Sequence, residues 1–412
     1  SANEALICWA QTSFTNETFL ETKSENALKS FFESQDIWFA CYDLENDSLI
    51  QMEMLTTDAG AKSGIGRANP IITKLSDNKA MIIWQVADME NHSSHIWYSL
   101  LTKTNGSWSA GEPGILSDYQ GIQSDLKVCS PQDDRALLVW LNTSYGHPVH
   151  NCIMTSSFDG EEWLEPEILL DEEYAHYNYF DINVEENSGG LIAASHIAIP
   201  DSGKFEKLCF IPWETGNGLL NSASAIELLR DSIYHLQYPA IAFGPEDEAC
   251  IAVKREEIIP KDSNSRISQI DLFYSELSAD SIIWEQLPLS EYVCDTTKAV
   301  SEIELTFIGS DSLLLLTNEY PMTASNSKFK PLNGVFFGDP YMNLVLRSFK
   351  INEDEIEDIQ EGEFFTSVED FQVPENKVKL FQNYPNPCID QSIIGFELPE
   401  KLQIKLEVFN SG

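Results

Sequence analysis

One segment type recurs along the chain: a turn rich in Asp, Asn, Gly or Pro, then a small residue, then about four apolar residues. It appears as Ala5-Leu6-Ile7-Cys8-Trp9, Ala80-Met81-Ile82-Ile83-Trp84 and Ala136-Leu137-Leu138-Val139-Trp140. It returns as Gly190-Leu191-Ile192-Ala193-Ala194, Ala249-Cys250-Ile251-Ala252-Val253 and Ser312-Leu313-Leu314-Leu315-Leu316, at successive offsets of 75, 56, 54, 59 and 63 residues. Short, unbroken runs of β-formers are the pattern of strands buried on both faces. An alternating apolar–polar stretch lies downstream of each run, at 37–42, 96–101, 152–156, 208–211, 270–274 and 342–346. A further strand precedes five of the runs, at 70–74, 125–129, 180–184, 239–243 and 303–307. A fourth follows a turn carrying Trp: Gly106-Ser107-Trp108 before 114–116, Gly160-Glu161-Glu162-Trp163 before 167–170, and Trp284 before 287–289. Each repeat therefore holds four short strands, named A, B, C and D in chain order.

A four-stranded unit repeated at roughly 55 residues is the sequence signature of a β-propeller blade. The expected fold is all-β: a six-bladed β-propeller over 1–373, followed by the start of a β-sandwich over 374–412. The first repeat begins at strand B. After strand D of the sixth repeat (355–359), the alternating stretch 364–373 is expected to supply the missing innermost strand of blade 1 and close the ring. The acidic run 351–363, with seven acids, reads as a solvated outer edge or linker. The one helical candidate is 21–34, inside a long insert of the first repeat.

The segment Ser157-Phe158-Asp159-Gly160-Glu161-Glu162-Trp163 resembles the Asp-box of sialidase-like propellers, although it is one residue short and lacks the usual Thr. In that family the element is a structural turn, so the resemblance implies a fold and no activity. The C-terminal region carries a second resemblance. Gln382-Asn383-Tyr384-Pro385-Asn386-Pro387, then Ser392, Ile394, Phe396, Leu398 and Pro399, then Val408-Phe409-Asn410, resemble the C-terminal sorting domain of the type IX secretion system of Bacteroidota. Cys388, Ile389 and Asp390 replace the family's usual Phe-Asn-Pro. The resemblance implies that the type IX machinery is a partner and that the protein is secreted or attached to the outer-membrane surface. Five Asp-Ser/Thr-apolar tripeptides, beginning at Asp47, Asp231, Asp280, Asp295 and Asp311, resemble O-glycosylation acceptors of exported proteins from that phylum.

Charge narrows the function classes. Lys and Arg number 25 against 66 Asp and Glu, a net charge of −41. A nucleic-acid partner needs a basic stripe, which is absent, and anionic lipid is disfavoured for the same reason. No apolar run approaches the roughly 18 residues of a membrane span. The chain begins at Ser1 rather than Met, which fits a mature exported chain or a recombinant one, so targeting is not read from this end. None of the eight cysteines forms a CxxC pair, and most sit in apolar runs as small buried hydrophobes.

In a propeller the B–C and D–A connections lie at one end of the ring, and the A–B and C–D turns at the other. The B–C loops are the longer ones, and all seven histidines fall in or beside this loop end. The expected binding residues are Tyr119, Tyr145, His147, His176, Tyr177, Tyr234, His235 and Arg255, polar aromatics and a cation suited to a glycan or protein ligand. No catalytic set and no metal ligands are assigned. The pair His147-Pro148-Val149-His150 with His176 lacks a companion carboxylate, no cofactor is implied, and calcium on acidic loops is the only metal the composition favours. A sialidase-type glycosidase is the alternative, and would recruit Arg67, Arg230, Arg255 or Arg266 to a substrate carboxylate. A structural subunit that self-assembles at the cell surface is the third reading.

Overall fold

The computed structural model of the protein describes residues 4–12, 33–46, 48–56, 65–88, 91, 93–144, 150–184, 188–200, 203–214, 219–245, 248–257, 268–278, 281–287, 298–308, 312–321, 343–352, 355–365, 379–380 and 396–397. These residues are all-β apart from isolated turns and form six antiparallel meanders in chain order. The first sheet is β1 (Glu4–Thr12), β2 (Gln35–Asp43) and β3 (Ser48–Met54). The second is β4 (Ile65–Ser76), β5 (Lys79–Asp88) and β6 (Ser93–Thr104), with β7 (Ser107–Ala110) and β8 (Gly114–Ser117) sharing its outer edge. The third is β9 (Ile122–Cys129), β10 (Ala136–Ser144), β11 (His150–Phe158) and β12 (Glu167–Leu170).

The fourth sheet is β13 (Ala175–Val184), β14 (Gly189–Ile199) and β15 (Gly203–Glu214), edged by β16 (Leu219–Leu220) and β17 (Ile226–Asp231). The fifth is β18 (Tyr234–Phe243), β19 (Glu248–Glu257) and β20 (Ser268–Ser278), edged by β21 (Ser281–Ile282) and β22 (Glu285–Leu287). The sixth is β23 (Lys298–Phe307), β24 (Ser312–Pro321), β25 (Asn343–Asn352) and β26 (Glu355–Phe365). A separate pair, β27 (Lys379–Leu380) and β28 (Phe396–Glu397), sets Leu380 opposite Phe396.

The B strands show why unbroken apolar runs are needed. Successive side chains of a strand point to opposite faces. In β5, Ala80, Ile82, Trp84 and Val86 pack against the first sheet, while Met81 and Ile83 pack against the third. In β10, Ala136, Leu138 and Trp140 face the second sheet, and Leu137, Val139 and Leu141 the fourth. In β19, Ala249, Ile251 and Val253 face the fourth sheet, and Cys250 and Ala252 the sixth. Each fully buried Leu or Ile contributes about 1.5–3 kcal/mol. Five such clusters join the six sheets in order; among the described residues no buried cluster joins the sixth to the first.

The C–D turns add a second tie between neighbours. Trp108 packs in the core shared with the first sheet, and its backbone N–H and C=O are both held by Gln51 of β3 at 2.9 and 2.6 Å. Trp163 stacks edge-on to Tyr98 of the second sheet, and Trp284 edge-on to Phe210 of the fourth. Trp213 takes the same place beside the third sheet, a position the Trp-turn pattern did not mark.

Three expectations change. The A strands start about five residues earlier than their apolar halves. Strand D of the sixth sheet runs on to Phe365, so Phe364 belongs to β26 rather than to a closing strand; 366–373 lie outside the described residues. Most of the acidic run 351–363 is thus strand, not linker. Of the helical candidate 21–34, only Glu33 and Ser34 are described. The six described cysteines are free thiols. Burial pushes Cys8, Cys152 and Cys209 up to about 11 and Cys129 to about 12, which keeps them protonated and unreactive.

Candidate functional site

The loop end is shaped by a defect repeated in every described A strand. The register slips between Ala68 and Ile71 in β4, Ser124 and Lys127 in β9, and Tyr177 and Tyr179 in β13. It slips again between Gln237 and Ala240 in β18, and between Ser301 and Ile303 in β23. Three of these bulges hold a non-glycine residue at positive φ: Asn69 at 52°, Asp125 at 53° and Tyr238 at 49°. A bulge re-aims side chains and increases local twist. Ahead of the bulge the A strands mix buried residues, such as Ala175, Tyr177 and Leu236, with polar ones, such as Arg67, Gln123 and His235, that bond to the preceding sheet.

Polar bonds join neighbouring sheets at that level. Gln123 of β9 and Ser94 of β6 exchange bonds: the Gln123 backbone N–H donates to Ser94 Oγ at 2.6 Å, and Ser94 Oγ donates to the Gln123 carbonyl at 2.9 Å. Asn151 of β11 grips the Tyr177 backbone at both N–H and C=O, at 2.9 and 2.6 Å. Arg67 of β4 lies 3.4 Å from Asp36 of β2.

The junction between the fourth and fifth sheets is the most highly charged. Arg255, near the end of β19, donates to Asp271 at 2.9 Å within its own sheet and to Asp231 of the fourth sheet at 2.8 Å. Its guanidinium lies 4.4 Å from the centre of the Tyr234 ring. Burial pushes the Asp231 carboxyl up, but backbone N–H groups of Ile233 and Tyr234 and the Arg255 cation outweigh it and hold the group below its ordinary value. Asp271 goes the other way: burial pushes it up further than Arg255 draws it down. Beside this clamp, Glu206 of β15 is 3% exposed, and its Oε1 lies 2.8 Å from Nδ1 of His196 and 3.0 Å from Nδ1 of His235. One carboxylate oxygen thus meets an Nδ1 atom from each of two sheets. On the opposite face of β19, Lys254 and Glu256, both buried, pair at 2.7 Å, with the Lys254 ammonium 5.6 Å from the Tyr238 ring centre. The Tyr238 and Tyr179 rings lie 4.6 Å apart. Burial pushes the Tyr179 phenol up, the bond to Tyr238 draws it down, and the Glu256 charge adds to the rise.

The expected residues divide. Tyr234, His235 and Arg255 meet at this junction. His176 lies in β13 directly opposite His196, one strand from Glu206. Tyr177 is buried, with its hydroxyl accepting from the Glu172 backbone N–H at 3.3 Å, so it is a packing residue rather than a binding surface. Tyr119 is exposed in the D–A turn before β9. Tyr145 and His147 lie outside the described residues, as do Arg266 and all of the sorting motif but Phe396. Arg255 and the described histidines occupy strands, not loops. Glu206 was missed from sequence. Its signal is parity: Glu206, Leu208 and Phe210 alternate on one buried face.

The three loop-end arginines that are described each have a carboxylate partner: Asp36 for Arg67, Glu227 for Arg230, and Asp231 with Asp271 for Arg255. Among the described residues no three His, Cys, Asp or Glu side chains converge as metal ligands. The Asp-box-like segment is a turn: Asp159 Oδ1 accepts from the N–H of Glu161 and of Glu162, both at 2.9 Å, with Gly160 at φ 110°.

No protein-family model and no curated protein matches the sequence. Solved structures of slight similarity include the α-L-arabinofuranosidase of Fusarium graminearum with arabinobiose, at 8% identity and TM-score 0.38, over 68% of this chain and 80% of that one. The β-propeller domain of the Trilobed protease from Pyrococcus furiosus gives 12% identity and TM-score 0.35 over 87% and 91%. The α-L-arabinanase of Penicillium chrysogenum with arabinobiose gives 9% and 0.37 over 72% and 93%. Likeness of this degree transfers no residue roles.

Proposed function

We propose that the protein is a closed six-bladed propeller that binds a glycan or a protein segment at its loop end. Closure is supported by two apolar faces. On the first sheet, Trp9 and Trp38 stack 6.4 Å apart on the face turned away from the second sheet, and Ile7 beside them is 49% exposed. On the sixth sheet, Leu313 and Leu315 are buried against the fifth, while Leu314 and Leu316 alternate to the other side. Packing these two faces together completes the ring.

The observation that carries binding rather than turnover is the Arg255 clamp. A glycosidase handling an acidic sugar needs a cation that is free to meet the substrate carboxylate, and Arg255 is already neutralised by two acids. What the loop end offers instead is aromatic and imidazole surface on a rigid frame. Retention of the purified chain on glycan and peptide arrays, without release of product from fluorogenic glycosides, is the expected result. Turnover that is lost in Arg255→Ala while the chain stays folded would overturn the reading.

We propose further that type IX export delivers this module outside the cell, a reading supported by the sorting resemblance of the sequence. Removing 378–412 is expected to abolish release or surface display in a type IX-competent host, and undiminished export would count against it. Two of the acceptor-like serines, Ser48 and Ser232, are exposed, so an intact mass above 46.4 kDa is expected for the exported form.

A further inference from the structure

The D–A turns hold side chains that the clamp does not use. Three successive turns each expose a large apolar residue: Tyr119 at 43%, Tyr174 at 49% and Ile233 at 57%. They stand at the starts of β9, β13 and β18, and these strands lie side by side in that order. The turns are pinned. Gln123 Nε2 donates to the Tyr119 carbonyl at 3.0 Å, the Ala198 backbone N–H donates to the Tyr174 carbonyl at 3.2 Å, and Asp231 Oδ1 accepts from Ile233 at 2.7 Å. The rings are therefore presented without the entropy cost of ordering a loose loop. Exposed acids flank both tyrosines: Asp118 beside Tyr119, and Glu172 and Glu173 beside Tyr174.

We propose that this arc is a docking surface for a basic polypeptide segment, with Lys or Arg stems lying across Tyr119 and Tyr174 and their charges meeting Asp118 and Glu173. Charge complementarity selects the partner. An acidic rim on a chain of net charge −41 repels anionic glycans and acidic proteins, while an aromatic face attracts a cation that its own acids have helped to desolvate. The inference rests on the loop end being a binding face and names the chemistry of its partner.

The test uses the full chain and a short fluorescent Lys–Ser repeat peptide, with a Glu–Ser repeat as control, read by anisotropy. Binding of the Lys peptide alone is expected, weakening as salt is raised. Tyr119→Ala with Tyr174→Ala should weaken it about tenfold through two lost cation–π contacts. Asp77→Asn with Asp133→Asn removes two charges at the opposite end and should leave it unchanged. Equal loss from the Asp77/Asp133 and Asp118/Glu173 pairs, or unchanged binding by the tyrosine variant, would reduce the effect to net charge and overturn the proposal. Array retention of other ligands without Lys-peptide binding overturns the arc alone. Retention of nothing overturns the binding module as well.

Discussion

The same local turn is built at both ends of the molecule. At the turn end, Asp159 accepts from the N–H groups two and three residues on; at the loop end, Asp231 does the same with Ile233 and Tyr234. Backbone chemistry alone explains both. Their surroundings differ. Asp159 is solvent-facing and its turn delivers Trp163 to the second sheet. Asp231 is half-buried, and its other oxygen receives Arg255 from the next sheet. One short-range motif is thus a fold device at one end and part of an ion network at the other. Position in the fold, not sequence, makes the difference.

The sharpest test of that contrast is isosteric. Asp231→Asn keeps the turn but removes one of the two carboxylates facing half-buried Arg255. It is expected to cost about 2 kcal/mol in urea unfolding, less than a fully buried pair would, because Asp271 still meets the guanidinium. Asp159→Asn should leave the urea midpoint where it was. Acid titration separates the two further. Asp231 is held below its ordinary value, so its stabilisation is present above the unfolded carboxylate range and is lost as pH falls through the depressed value. Asp271 is raised and has the opposite sign, favouring the fold as it protonates and offsetting part of that loss. Asp231→Asn should therefore flatten the acid limb of stability below about pH 4, measured by thermal midpoint.

At the turn end the delivered side chain matters more than the turn. Trp163→Ala is expected to cost about 2 kcal/mol, below the value for a fully buried Trp because the ring is half-buried. The smallest effect is expected at Tyr174, whose φ of 66° is a left-handed conformation that glycine adopts freely. Tyr174→Gly should hold or raise stability by up to about 1 kcal/mol while weakening Lys-peptide binding. A large loss of stability there would mean that the ring is part of the core rather than a presented surface.

The B strands were legible in the sequence because burial on both faces leaves no polar interruption, as in Ala249 to Val253. The first halves of the A strands were not. A bulge at Asn69, Asp125 or Tyr238 shifts the alternation by one or two residues, and the stretch ahead of it reads as loop. For that reason His176, Tyr177, Tyr234 and His235 were placed in connections and lie in strands. The clamp was half legible. Arg255 stood out as a scarce cation at the loop end, but its partners Asp231 and Asp271 are 24 and 16 residues away, and only the packing of neighbouring sheets for Asp231 and the pairing within one sheet for Asp271 bring them to it. Glu206 was hidden because a buried acid in a strand looks like any polar residue in an alternating pattern.

The tryptophans that staple the sheets have an optical consequence. The indole N–H groups of Trp84, Trp140, Trp163 and Trp284 are buried without a hydrogen-bond partner. Indoles in such dry surroundings emit toward the blue, and each sits at a different depth or junction of the second, third and fifth sheets. Replacing eight of the nine tryptophans with Phe and keeping one of these would give a set of single-site fluorescent probes, able to report whether neighbouring sheets separate together or one at a time.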